Sequence, residues 1–588
     1  SGHPPVPMTT ESGAAEPDSS EAAAEEDQWW KDVNDIRFWK ALLILGVLLH
    51  VFTSFTSDPG LDTHVLLAAE TVEEGTGEAV LDWGHTRSKD PLSSDPAYAR
   101  PIGTQGIVEL VDFGGVSALR FYSLLLTLAG AGLIVLGARG IKDGSLDGDE
   151  WRYSALFLLY PVFIFATGRL NGEAHLAFGF ALMLYLWVYI EQTFRDTPEG
   201  EIPFEDRHNS FTRFMLHMFA GLFIGLAVVG VAAAKGMVDG AYVMLYPWLL
   251  APFVGLWMEL THHPRYAESL VCRPQRALLL GLGLSLLAAL YLGFTMEEGK
   301  TLAVMREAPA RYLSAVLISV FDLLLVFGLF GMILWPFAKD AWRALDEVRD
   351  WMAGVFAGII GAGVGFLTLY VAALWAHESL LWGSSWPWVT WTMGNNGRYI
   401  SLLIIPLFWL LMRLRHLSES DLPTIDAPGP RAHALFLGIM LILPISLLTG
   451  LHGQTMWTDE AAEVLSENMD DGEDFLFVSE ATQGMHWLYT FHYEVDPYGE
   501  RGITGHWRAD TTSWADELLN GTRHPNRGDL SNVHWVVLSP DVPWSPPPGW
   551  GPVATDSAPW MNGGCDWIIW SDVEDVETLD AFSRQVCQ

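Results

Sequence analysis

A few charged residues fall where an apolar chain should not carry them. Asp62 follows the first apolar run closely, in Leu61-Asp62-Thr63-His64. Ahead of the apolar stretch from Val65 it reads in two ways. It is either a helix N-cap or a carboxylate set to take a proton from an incoming hydroxyl. Arg169 and Glu173 flank the tight turn between the third and fourth runs, with His175 just beyond. Their plain reading is an ion pair, with Glu173 favoured by the helix dipole. The sharper reading is an anion-binding arginine oriented by a carboxylate. Lys235 precedes Gly236 at the end of the fifth run. It is either a snorkelling lysine or a phosphate ligand whose glycine neighbour admits a bulky headgroup. Arg398 and Tyr399 open the tenth run after a tryptophan-rich loop from Trp382 to Trp391. That loop reads as an interfacial belt or as a groove for a lipid tail or sugar ring. Asp322 inside the eighth run reads as a buried hydrogen-bonder. Glu259, His262 and His263 offer metal-ligand types, but they adjoin Pro264 on the opposite side and read as a loop.

These residues need a scaffold, and the composition says which kind. The chain has 588 residues, half of them hydrophobic and only 18% charged, yet its net charge is −37. Globular chains carry about 25% charge. The charge is therefore segregated. Residues 1–36 hold net −8, residues 55–117 net −8 and residues 452–588 net −19, leaving −2 for the rest. An ordinary soluble enzyme is excluded. So is a nucleic-acid partner, which needs a basic footprint. Three cysteines exclude a disulfide-dense scaffold and a four-cysteine zinc site. A Cys565–Cys587 disulfide is compatible with an extracytoplasmic C-terminal segment.

Apolar runs of about 17–25 residues mark membrane-spanning helices. Eleven are expected, near 38–55, 118–138, 153–168, 172–191, 213–234, 240–258, 276–294, 312–337, 352–376, 398–414 and 432–451. The third is short enough to dip rather than span. Lys and Arg concentrate in the turns after even-numbered runs, which puts those turns and the N-terminus in the cytoplasm. No cleavable signal peptide is expected, because the first apolar run starts only near Phe38. Residues 452–588 have another texture. Thr458–Met469 reads as an amphipathic helix, and 475–479, 535–539 and 567–570 read as buried strands. The expected fold class is an α-helical polytopic membrane protein of the plasma membrane with a C-terminal extracytoplasmic α/β domain. Its parts are an acidic disordered tail (1–36), a membrane module (37–451) that includes the outer loop 55–117, and the outer domain (452–588).

In order along the chain, these motifs resemble the GT-C superfamily of polytopic glycosyltransferases, nearest to glycosyltransferase family 39. That family includes protein O-mannosyltransferases and lipid A aminoarabinose transferases. The resemblance rests on Leu61-Asp62-Thr63-His64 in a long loop and on Ala118-Leu119-Arg120-Phe121-Tyr122-Ser123 opening the second helix. It also rests on Arg169, Glu173 and Leu176-Ala177-Phe178, on Lys235-Gly236, and on Arg398-Tyr399 before Pro406. There are departures. The family usually has two adjacent acids in the first loop, and a His-Pro-Pro where this chain has Asp95-Pro96 and Arg100-Pro101. The Trp-Trp-Asp signature of oligosaccharyltransferases is absent.

The resemblance implies transfer of a sugar, with inversion, from a polyprenyl-phosphate donor to an acceptor hydroxyl on a protein, lipid or glycan at the extracytoplasmic face. Asp62 would be the catalytic base. Lys235, Arg169 and Arg398 would hold the donor phosphate. Glu173, His64, His175 and Tyr399 would order the site. No cofactor is demanded, although some relatives bind a divalent metal. The competing expectation is a non-catalytic protein that binds the lipid carrier or scaffolds envelope glycan assembly.

Overall fold

Proline, which fits the first helical turn, opens four helices of this chain, at Pro161, Pro274, Pro309 and Pro430. The computed structural model describes residues 35–57, 81–82, 105–168, 173–195, 205–234, 244–262, 272–296, 298, 301–338, 341–382, 399–418, 430–451, 457–479, 491–492, 494–496, 501–521, 529–558, 564–580 and 582–586. The main helices of the membrane part are α1 (Ile36–Thr56), α2 (Gln105–Ile141), α3 (Asp149–Leu158), α4 (Pro161–Gly168), α5 (Glu173–Arg195), α6 (Glu205–Ala234) and α7 (Leu245–Thr261). They continue with α8 (Pro274–Thr295), α9 (Pro309–Ala338), α10 (Trp351–Trp382), α11 (Ile404–Leu417) and α12 (Pro430–Leu451). Each of the eleven expected runs overlaps helix.

Among the described residues, six helices are long and apolar enough to cross a membrane: α1, α2, α6, α8, α10 and α12. Shorter apolar stretches lie in α5 and α9. The chain is an integral membrane protein. Its helices expose large apolar side chains, among them Leu284, Leu287 and Phe294 on α8 and Phe253 on α7. Such surfaces suit lipid contact.

The third run is two short helices, not one. Pro161 disfavours helical backbone at Tyr160, and the chain breaks between α3 and α4. Both pieces are buried, with Phe157 against Phe163 at a ring distance of 4.3 Å. They sit in one core with Trp39, Ile134, Phe408 and Trp409. Elsewhere, α8 and α10 meet backbone to backbone. A Cβ at Gly281 would lie 2.2 Å from the carbonyl oxygen of Gly358, and one at Gly361 would lie 2.1 Å from that of Leu278. Small residues permit such approaches between membrane helices.

Several bases of the expected cytoplasmic turns are buried in ion pairs. Arg413 donates to both carboxylate oxygens of Asp350 at 2.9 and 3.0 Å and to Asp143 at 2.8 Å. Arg415 and Arg152 share Asp149 at 2.6 and 2.7 Å, and Lys142 pairs with Asp147 and Glu150. The near-neutral charge of the membrane module outside its first loop thus includes a matched set of bases and acids. These pairs tie the ends of α2, α3 and α11 to the turn before α10.

Beyond α12 come α13 (Trp457–Asn468), β2 (Asp474–Ser479), β3 (Thr504–Ala509), α14 (Trp514–Asn520), β4 (Val533–Leu538), β5 (Gly551–Ser557) and β6 (Asp566–Ser571). A two-residue strand from the first loop, β1 (Leu81–Asp82), completes a six-stranded sheet of order β1-β3-β2-β4-β6-β5. Strands β1, β3, β2 and β4 run parallel, while β6 is antiparallel to β4 and β5. Alternate residues of β2 serve two cores. Phe475 and Phe477 pack with Trp457 and Leu465 of α13, and Leu476 and Val478 pack with Trp514 and Leu518 of α14. A sheet covered on both faces has near-continuous apolar strands, which is why β2, β4 and β6 stand out in the sequence. Cys565, just before β6, is disulfide-bonded, whereas Cys272 is buried in the membrane part. Cys587 lies outside the described residues.

Candidate functional site

At one end of the bundle, polar side chains tie α1, α2 and α4 together. His50 on α1 contacts Oγ1 of Thr167 through Nδ1 at 3.1 Å and the carbonyl of Leu158 through Nε2 at 2.9 Å. Thr167 Oγ1 lies 2.9 Å from Thr127 Oγ1 on α2. Buried polar groups need such partners, so these helix positions are strongly specified. One turn further along α1, Gly168 closes α4 against it. A Cβ at Gly168 would meet Ser57 Oγ at 3.0 Å and Thr53 Cβ at 3.1 Å. The C-terminal end of α12 joins them, since a Cβ at Gly450 would meet Thr53 Cγ2 at 3.2 Å.

Arg120 on α2 completes this convergence. Its Nη2 donates to the carbonyl of Ser57 at 3.0 Å, and its Nε is buried without a hydrogen-bond partner among the described residues. Ser57 is the residue after α1 and precedes Asp62 by five positions. Gly168 is the residue before Arg169. The flanks of two expected site segments therefore touch each other, and one of them, Ser57, bonds the arginine that opens the second apolar run.

The C-terminal sheet domain contributes a group that sequence reasoning missed. Glu494 has its carboxyl pushed up from 4.5 to about 7. Burial is the main cause, with added repulsion from Asp459 and opposing attraction from Arg120. Its neighbours come from α13 and α2, so no local motif marks it. A carboxyl that titrates near neutrality can hold or accept a proton under working conditions.

The expected site residues fare unevenly. Asp62, His64, Arg169, Lys235 and Arg398 lie outside the described residues, as does the side chain of His175. Asp322 lies on α9 with its side chain also outside them. Glu173 is in the first turn of α5 and is buried, at 6% exposure. Tyr399 is half-buried and meets Tyr370 of α10 edge to face at 6.2 Å.

Of the residues expected to form a plain loop near Pro264, two need correction, and His263 lies outside the described residues. Glu259 and His262 belong to the end of α7, not to a loop. Glu259 accepts from Arg213 at 2.7 and 3.1 Å and from Ser210 at 2.6 Å. His262 instead faces Glu191 of α5, with Nε2 2.5 Å from Oε1. His217 of α6 lies 2.6 Å from the other oxygen of the same, fully buried carboxylate. By distance alone Glu191, His217 and His262 could hold a cation. The indole N–H of Trp187, however, donates to Nδ1 of His217 at 2.7 Å. The proton of neutral His217 therefore sits on Nε2 and is donated to Glu191. Metal ligation through Nε2 would need that proton on Nδ1, where the indole N–H already points. His217 is hydrogen-bonded to Glu191 and Trp187, and His262 lies at ion-pair distance from the same carboxylate, so the cluster ties α5, α6 and α7 together. Sequence spacing hid it because its members come from three helices.

No protein-family model matches the chain, and no curated protein matches it. Among solved structures, the chain is similar to the Archaeoglobus fulgidus oligosaccharyltransferase in its apo form at 12% identity and a TM-score of 0.38, over 87% of this chain and 70% of that one. It is also similar to ArnT from Cupriavidus metallidurans bound to undecaprenyl phosphate, at 13% identity and a TM-score of 0.25, over 91% of this chain and 98% of that one. Likeness this remote says nothing of activity, which has to be read from this chain's own residues.

Proposed function

We propose that the protein is a membrane glycosyltransferase that moves a sugar from a polyprenyl-phosphate donor to an acceptor hydroxyl at the extracytoplasmic face. One observation carries the reading. Arg120 of α2 bonds the residue that leads into the Asp62 segment, Gly168 packs that residue against the Arg169 turn, and Glu494 of the sheet domain lies within electrostatic range of Arg120. Polar and titratable groups thus gather between apolar helices and an outer domain, where a lipid-borne phosphate can arrive from the bilayer and a polar acceptor from the aqueous side.

In the proposed reaction the acceptor oxygen attacks the anomeric carbon as the bond from that carbon to the phosphate oxygen breaks. The configuration inverts. The acceptor proton passes to Asp62, and the polyprenyl phosphate leaves with the bonding pair. Lys235, Arg169 and Arg398 offset the charge that develops on the phosphate. Glu173, His64, His175 and Tyr399 order the site. Glu494 takes the part of the second acid that the resemblance places beside Asp62 and this loop lacks. Its carboxyl, raised to about 7, exchanges a proton around neutral pH, and it orients the acceptor hydroxyl.

The test is incubation of the full chain in proteoliposomes with radiolabelled polyprenyl-phosphate mannose, glucose and arabinose. Lipid-dependent hydrolysis or transfer of any of these supports the reading. Saturable binding with no turnover would favour the scaffold alternative.

A further inference from the structure

A cavity of about 710 Å³ opens on the sheet domain, lined among others by Trp544, Trp550, Trp570, Phe582, Pro547 and Arg584. Its volume falls in the range of ligand pockets, about 300–1,000 Å³. The aromatic rings stand edge to face around Trp544. Trp550 is 5.6 Å away and Trp570 5.9 Å, and Phe582 meets Trp570 at 5.5 Å. Trp570 is 6% exposed and forms the floor beneath Trp544 and Phe582.

The walls are fixed before any ligand arrives. Arg584 commits Nε, Nη1 and Nη2 to the carbonyls of Asp566, Val542 and Ser539 at 2.9, 2.8 and 2.8 Å. These bonds hold the C-terminal segment against β6 and the loop after β4. Asp566 and Gln585 exchange further hydrogen bonds at 2.8 and 2.6 Å. On the other wall, the three prolines 546–548 run into a turn closed by Trp550 N–H on the carbonyl of Pro547, with Gly549 at φ 110°. That conformation favours glycine.

We propose that this cavity is a binding site for a neutral glycan, distinct from the transfer site. Aromatic faces carry a negative quadrupole that attracts the weakly positive C–H faces of a pyranose ring. Ser545, also on the lining, carries a hydroxyl that suits a ring or hydroxyl oxygen. Polyanionic glycans are disfavoured, because the segment 452–588 carries net −19 and the cavity's arginine is already committed to carbonyls. A proline-rich peptide is disfavoured as well, because the cavity's own prolines already pack along it. The disulfide-bonded state of Cys565 puts the domain in an oxidising compartment, where surface glycans are found.

The test is equilibrium dialysis of the full chain in nanodiscs against labelled mannopentaose, maltopentaose and chitopentaose, with decaproline as the competing class. Saturable binding of at least one sugar is expected. It should weaken at least tenfold in Trp544→Ala and in the milder Phe582→Ala, and should be unchanged in Trp248→Ala on α7. The inference is overturned if no sugar binds, if binding ignores both cavity substitutions, or if decaproline alone binds.

Discussion

Glu494 is the residue at which the proposed chemistry and the stability of the domain interface meet. Its carboxyl is raised from 4.5 to about 7, so the folded protein holds a proton that the unfolded chain has already lost. Stability must then fall as pH rises from about 4.5 to about 7, and the loss is complete above that window. Glu494→Gln should remove this component. Urea unfolding of the detergent-solubilised chain at pH 5, 6, 7 and 8 checks it, and a slope unchanged by the substitution would count against it. Nothing near Glu494 in the sequence announces this behaviour, because Asp459 and Arg120 reach it only through folding. Asp62 and Arg169 stand out in the sequence for the opposite reason. A charge beside an apolar run is anomalous on its face.

Helices are the elements most easily read from the sequence, because spanning demands a long apolar run. The break at Pro161 is only half legible. The run is short, but that it splits into α3 and α4 depends on the core around Phe157 and Phe163. Strand β3 is hidden because its polar positions, His506 and Arg508, break the apolar pattern. Each is answered by another element, His506 by Asp474 at 3.3 Å and Arg508 by Glu517. Arg508 is fully buried and donates to both oxygens of Glu517 at 3.1 and 2.9 Å. Glu517→Ala should therefore destabilise the sheet domain by about 3–5 kcal/mol, whereas Arg508→Met with Glu517→Leu should recover most of the loss. Thermal denaturation of both variants separates an uncompensated charge from simple loss of packing. In the membrane, Gly361→Leu should force α8 from α10, at a cost of about 1–3 kcal/mol or more. A lower Tm and faster trypsin cleavage in detergent would register it, whereas Gly283→Leu, whose Cβ position is open, should change neither.

The whole molecule divides its charge by address. Outside its first loop the membrane module comes close to neutrality, with bases matched by acids at the ends of α2, α3 and α11. Most of the negative charge lies in the first loop and the C-terminal domain, two parts that β1 and β3 join in one sheet. The sequence does not disclose that joining, since a two-residue strand leaves no pattern. It ties the segment after Asp62 to the domain that carries Glu494. The proposed transfer depends on a sugar leaving a polyprenyl phosphate while Asp62 takes the acceptor proton. Release of free polyprenyl phosphate from labelled donor in proteoliposomes reads this step, comparing the native chain with Asp62→Asn at equal protein and neutral pH. Acceptor-dependent release by the native chain is expected, with release by Asp62→Asn at least a hundredfold slower, an effect within the range of a lost general base. Equal release by the two proteins would contradict the assignment.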